Sequence, residues 1–250
     1  MTGSIRVGIG GWTFEPWRGV FYPVGLPQKQ ELHFASRALT SIEINGTYYS
    51  TFKPPSWMKW RDETPDDFVF AVKASRYCTN RKDLRTAKDA IGTFLAQGIL
   101  ELGSKLGPIN WQLMGTKKFD ADEMAGFFEL LPHEHEGAPL RHAIEARHAS
   151  FVTDAFYDLA RKHGIAIVCA EDEDFPFIDE ATADFAYARF MTSSADEEIG
   201  VSSKELTRFS KRAKDWAKRG DVFAYFISGA KEKNPAAAQA LIKKVGPPKA

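Results

Sequence analysis

Cysteine is almost missing from the chain. Its 250 residues hold two, Cys78 and Cys169, far apart and without a CxxC spacing. A disulfide framework and a thiolate zinc site are therefore excluded. Long apolar runs are missing too. None approaches the ~20 residues that span a bilayer, and Met1–Gly10 runs into a strand pattern without a signal-peptide core. The reading is a cytoplasmic protein with no membrane partner. Neither sign of charge is in excess, with 33 acidic residues against 33 basic. That removes a general electrostatic grip on nucleic acid and leaves only local basic patches for such contacts. No set of His, Cys and carboxylate with ligand spacing falls at the strand ends, so no metal and no cofactor are expected. No linker or low-complexity stretch divides the chain, and one domain over residues 1–250 is expected. Nothing in the pattern sets an oligomeric state.

What is present is a repeating alternation of strands and helices. Strands are expected at Ile5–Gly10, Ser41–Gly46, Phe68–Lys73, Pro108–Met114, Leu140–Ala146, Ile165–Ala170, Asp184–Phe190 and Val222–Ile227. Helices are expected at Gln28–Leu39, Ser56–Arg61 (capped by Ser56), Ala87–Leu102, Asp120–Leu131, Thr153–His163, Ser203–Arg219 and Asn234–Val245 (capped by Asn234). Asp120 and Glu123 have the spacing of a capping box. The segment after the sixth strand, Glu171-Asp-Glu-Asp-Phe-Pro-Phe, lacks helical character. Eight strands separated by crossovers in 250 residues predict an α/β fold, a single TIM-type (β/α)8 barrel of parallel strands with that one irregular segment.

The stretch Ser41-Ile-Glu-Ile-Asn-Gly-Thr-Tyr-Tyr-Ser carries the first chemical signal. Ile42 and Ile44 point to one face and Glu43 and Asn45 to the other. A mid-strand carboxylate is expensive without a partner. Later strands offer partners at similar positions: Lys73, Gln112, Glu145 with Arg147 and His148 beyond it, and Arg189. In a closed parallel barrel these strand ends meet at one mouth. Three cations against two carboxylates leave a surplus of positive charge. Arg147 and Arg189 suit a phosphate or carboxylate, Glu43 or Glu145 a proton transfer, and Lys73 an acid or electrostatic role. The carboxylates are expected to hold Lys73 charged and so oppose a Schiff-base role. Trp12 and Tyr48 add ligand-binding walls, and an inert salt-bridge network is the competing account of the charges.

Other motifs are weaker. Gly8-Ile-Gly10 is not a dinucleotide fingerprint, because Thr13 takes the third glycine position and Pro16 and Gly19 oppose a helix. His133-Glu-His-Glu reads as a solvated loop on the far face, and Glu171–Asp174 as a solvated acidic run. Lys204, Arg208, Lys211, Arg212 and Lys218 read as the exposed side of an amphipathic helix.

The combination of motifs resembles the YecE-like proteins, domain of unknown function family 72. It rests on Val7-Gly-Ile-Gly-Gly-Trp with Trp17 and Phe21-Tyr-Pro, then Ser41-Ile-Glu-Ile-Asn-Gly-Thr-Tyr-Tyr. Phe70-Ala-Val-Lys-Ala-Ser, Gly107-Pro-Ile-Asn-Trp-Gln-Leu, Ile144-Glu-Ala-Arg-His and Tyr187-Ala-Arg-Phe continue it across nearly the whole chain. The resemblance implies a TIM-barrel-like fold and brings no established activity. The chain departs from the family pattern at Cys169-Ala-Glu-Asp, at Arg189-Phe-Met-Thr and at Phe226-Ile-Ser, so one side of the mouth is rebuilt. The leading expectation is binding, and transformation, of a small anionic substrate. Nucleic-acid binding or cleavage, with Trp12, Trp17, Tyr48 and Tyr49 stacking on bases, is the alternative, as is a non-catalytic binding module.

Overall fold

The strands are apolar on both faces because both faces are covered. In the computed structural model, which describes residues 2–248, the core strands are buried along nearly their whole length. The ends of the expected 1–250 unit, residue 1 and residues 249–250, lie outside the described residues. One face of each strand packs on helices through residues such as Ile9, Ile42, Val72, Trp111 and Ile144. The other face fills the barrel with Val69, Ala71, Ala143, Val168, Tyr187, Phe223 and Tyr225. Two-sided burial is the ordinary condition of a parallel sheet and explains the near-continuous apolar runs.

The strands of the barrel sheet are β1 (Ile5–Gly10), β2 (Ser41–Ile44), β3 (Val69–Lys73), β4 (Leu106–Gln112), β5 (His142–Glu145), β6 (Ala166–Ile167), β7 (Cys169–Glu171), β8 (Phe185–Phe190) and β9 (Asp221–Phe226), and a separate antiparallel pair joins Glu134–His135 to Ala138–Pro139. Their order is β6-β5-β4-β3-β2-β1-β9-β8-β7, and every pairing is parallel. The sheet thus has nine segments where eight strands were expected. The extra one comes from the sixth position, where Ile165–Ala170 is divided. β6 pairs with β5, whereas β7 pairs with β8, and the Val168 amide donates to the Ile144 carbonyl between them. The two edges of the sheet are therefore halves of one extended stretch, and the barrel is nearly closed. At β6 the Thr182 hydroxyl accepts from the Ile167 amide and donates to the Ile165 carbonyl. A side chain there serves the backbone groups that a neighbouring strand would otherwise serve.

The helices are α1 (Glu31–Ala38), α2 (Pro54–Glu63), α3 (Arg76–Thr79), α4 (Lys88–Leu95), α5 (Ala121–Glu129), α6 (Asp154–Lys162), α7 (Ser203–Trp216) and α8 (Asn234–Val245). The expected helix Ala87–Leu102 is broken. Gly98 takes φ +104 and the chain continues as a 3₁₀ run, Ile99–Lys105. Ser56 is not a cap either. α2 starts at Pro54, whose missing amide proton costs nothing in the first turn. Asn234 is the first residue of α8 rather than its cap, and its side chain bonds Ser193 and the Ser228 carbonyl. Asp120 does cap α5, but Glu123 does not complete the box. Its carboxylate accepts from the Leu84 amide and from Lys117. Residues 172–184 contain no helix or strand, which includes the irregular segment expected after the sixth strand; the next strand starts at Phe185 rather than Asp184.

Candidate functional site

Strand alternation delivers Glu43, Lys73, Gln112, Glu145 and Arg189 to the carboxyl end of the barrel, and pairing places them in adjoining positions. Lys73 stands beside Asn110, and Gln112 beside Glu145. After β2 the chain turns through Gly46–Tyr48, and the Thr47 hydroxyl donates to the Lys73 carbonyl at 2.6 Å. That bond fixes the turn carrying Asn45 and Tyr48 to the top of β3.

Glu43 and Glu145 are fully buried. The Arg189 guanidinium lies between them, reaching Glu145 Oε2 at 2.6 Å and Glu43 Oε1 at 3.1 Å. Asn110 Nδ2 donates to both carboxylates at 3.3 Å, and the Tyr187 hydroxyl donates to Glu43 Oε2 at 2.5 Å. Arg147 donates to Glu145 Oε1 at 2.6 Å and lays its guanidinium over Phe175, 4.3 Å from the ring centre. Gln112 accepts from Arg189 at 3.4 Å. Two polar atoms are left over in this layer, Asn110 Oδ1 and Arg189 Nε, both buried without a hydrogen bond.

Burial pushes the Glu145 carboxyl upward, but Arg189, Arg147 and Lys73 outweigh it and hold the group at about 2. Arg189 is buried as deeply, yet its two carboxylates raise it above the ordinary guanidinium value. Burial and the negative charge of Glu43 push the Tyr187 phenol well up, so it is a fixed donor. Lys73 behaves in the opposite way. Burial and the repulsion of Arg189 lower its ammonium to about 8, against the pull of Glu43 and Glu145. The carboxylates were expected to hold Lys73 firmly charged; desolvation outweighs them. Among the described residues no hydrogen bond or ion pair from Lys73 Nζ is present, and its contact is with the Tyr48 ring at 4.4 Å.

Above this layer opens a cavity of about 410 Å³. Its cationic walls are Lys73, Arg147, Arg189 and Lys231, joined by Asn45, Tyr48 and Gln112. Among the described residues no Asp or Glu lines it. Glu43 and Glu145 lie beneath the wall rather than in it. Trp12 lines an adjoining groove, which shares Asn45 and Lys231 with the cavity. His148 lies outside both. Its Nδ1 faces the Ser150 hydroxyl at 2.8 Å and accepts from the Ser150 amide.

Lys231 was not anticipated from the sequence. It follows β9 in an irregular loop, where Ser228 and Gly229 both adopt positive φ, +68 and +57. Ser193 and Asn234 clamp that loop through the Ser228 carbonyl. A lysine just past the end of the last barrel strand was the available signal, but alternation along the strand does not extend to it. Its side chain lies over Phe14 at 4.2 Å, and burial lowers its ammonium.

The acidic run and the basic helix read as solvated also meet. Glu171 is buried and accepts from Arg208 at 2.7 Å and from Arg212. This face of α7 is therefore partly a structural staple. Among the described residues no cluster of three His, Cys, Asp or Glu side chains is placed to hold a metal, and no helix is long and apolar enough to cross a membrane.

The UPF0759 protein YecE of Escherichia coli K12 is 27% identical over 150 residues, covering 59% of this chain and 50% of YecE. The chain spans about half the length of the curated relatives it matches. A DUF72 family protein from Thermotoga maritima MSB8 matches with TM-score 0.74 at 27% identity, over 95% of this chain and 96% of the other. One from Enterococcus faecalis V583 matches with TM-score 0.75 at 16% identity, over 97% of each chain, a likeness of fold alone. Residues 6–250 match the family described as "Protein of unknown function DUF72", and the chain belongs to that family.

Proposed function

We propose that the cavity at the carboxyl end of the barrel binds a small oxyanion, a phosphate or carboxylate, and that Lys73 is its principal contact. One observation carries this reading. Four cationic side chains line one cavity that no carboxylate lines. Such a space concentrates anions, and a low-dielectric wall strengthens the attraction. The cations are unequal. Arg189 is committed to Glu43 and Glu145, and Arg147 to Glu145. Lys73 and Lys231 are free of carboxylates, so they are the groups that a ligand satisfies.

In this reading Glu43 and Glu145 hold Arg189 in place and set the local field. They do not touch the ligand. Proton transfer, if the ligand is transformed, falls to Lys73, whose value near 8 suits exchange close to neutral pH. Thermal denaturation with sulfate or phosphate, compared with chloride at equal ionic strength, tests binding. A rise in Tm that Lys73→Met reduces is expected. No rise in the wild type defeats the proposal. A screen of phosphate esters and carboxylate substrates, run beside Lys73→Met, tests turnover.

A further inference from the structure

We infer that the ligand is an aryl oxyanion, whose charged group occupies the cationic cavity and whose ring occupies the adjoining aromatic groove. The inference rests on the anion-binding reading and adds the other half of the molecule. The groove measures about 370 Å³ and is walled by Trp12, Tyr49, Phe52 and Trp60. It is continuous with the cavity, because Gly10, Asn45, Tyr49 and Lys231 line both. Lys231 therefore stands where an oxyanion and its ring would join.

The rings are held by one another. Trp12 meets Trp60 edge to face at 5.2 Å between centres, and Trp60 meets Phe52 at 4.9 Å. These contacts fix the positions of three rings that line the groove. Tyr49 is 64% exposed at the rim although it is a large aromatic, and Tyr48 braces it at 5.0 Å. The backbone makes room as well. A side chain on Gly10 would bring its first carbon to 2.5 Å from Asn45 Nδ2, so glycine leaves Asn45 its place on the shared wall. Asn45 lies on the shared wall, and its Oδ1 is buried without a hydrogen bond. A hydroxyl or amine on the ligand, met by a turn of that side chain, would satisfy it. Apolar walls with a few polar groups at one end are the usual make-up of a small-molecule site.

Phenylphosphonate and methylphosphonate carry the same head group and differ in the ring. Calorimetry on the full chain should give about tenfold or tighter binding of phenylphosphonate, from the apolar surface the ring buries. Tryptophan fluorescence should change with the phenyl ligand and not with the methyl one. Tyr49→Ala, at an exposed position on the wall the two spaces share, should erase most of the phenyl advantage. Phe52→Leu serves as a second variant, and should reduce the advantage in the same way. Equal affinity for the two phosphonates overturns the inference and leaves the anion reading standing. Binding of neutral benzyl alcohol but of neither phosphonate overturns the anion reading, and with it the aryl oxyanion. No binding of any probe overturns both.

Discussion

Two layers of charge lie one above the other at the mouth of the barrel, and they are built differently. In the lower layer Glu43, Glu145, Arg189, Asn110 and Tyr187 answer one another at 2.5 to 3.3 Å, out of reach of solvent. In the upper layer Lys73 and Lys231 rest on aromatic rings and, among the described residues, have no carboxylate within pairing distance. Residue type does not separate the layers, since both contain cations at strand ends. Their partners do. The lower layer is a paired network, with only Asn110 Oδ1 and Arg189 Nε left over, and its cost appears when a member is removed. The upper layer carries its cost already, as two ammonium groups lowered by burial. The difference predicts opposite responses to similar substitutions.

The largest effect belongs to the lower layer. Arg189→Met leaves two buried carboxylates facing each other, and stability should fall by about 3–5 kcal/mol in urea titration. Stability within 1 kcal/mol of the wild type would show that the layer is not a single network. Acid should act on the same layer. Glu145 sits at about 2 against an ordinary 4.5, so its contribution is complete above 4.5 and is lost as pH falls towards 2. The loss amounts to about 3 kcal/mol over that window. In Glu145→Gln the protein should be less stable at neutral pH, and its stability should fall less steeply between pH 4.5 and 2. An unchanged slope would locate the acid sensitivity elsewhere.

Lys73 should respond with the other sign. Its folded value, about 8, lies below the ordinary 10.5, so the charged form costs stability below pH 8 and the cost is relieved as pH rises from 8 to 10.5. Lys73→Met should therefore hold or raise Tm at pH 7 while weakening sulfate binding about tenfold, the loss of one charge-assisted contact. Sulfate keeps its charge throughout, so wild-type affinity should fall as pH rises through 8, and the variant should lack that fall. A destabilised variant with unchanged sulfate affinity would move Lys73 into the lower layer.

The charged members of the lower layer were legible in the sequence, Asn110 and Tyr187 were not, and the upper layer was legible only in part. Alternation sends Glu43, Lys73, Glu145 and Arg189 to one side of their strands, and a parallel barrel brings that side of every strand to one end. Which of them pair is a matter of distance across the barrel. Arg189 meets Glu43 across 146 positions, and no local pattern encodes that contact. The eight strand positions were readable, but the break in the sixth was not, because Thr182 makes it from 15 residues away. Glu171 misled for the same reason. Its neighbours are acidic, and its partners Arg208 and Arg212 sit on a helix one strand later. The groove beside the cavity was represented by Trp12, Asn45 and Tyr49; Phe52 and Trp60 join it from a loop and a helix whose patterns look like ordinary packing.

The smallest effect, and the finest test of the two layers, belongs to Lys231. It comes from a loop rather than a strand, and the loop is held from below by Ser193 and Asn234 rather than by the lysine side chain. Its backbone carbonyl accepts from the Trp17 indole at 2.9 Å, a bond that any residue at this position keeps. Removing the side chain therefore takes away a charge and a ring contact without opening the core. Lys231→Met should leave Tm nearly unchanged and weaken sulfate binding only about three- to fivefold, less than at Lys73, because the site is more open to solvent and the charge better screened. Combined with Lys73→Met the losses should multiply if each lysine meets the ion separately, and fall short of the product if they share one oxygen. Loss of Tm in Lys231→Met comparable with that of Arg189→Met would mean that the loop depends on the ammonium after all, and the division into a paired layer and a waiting one would fail at that residue.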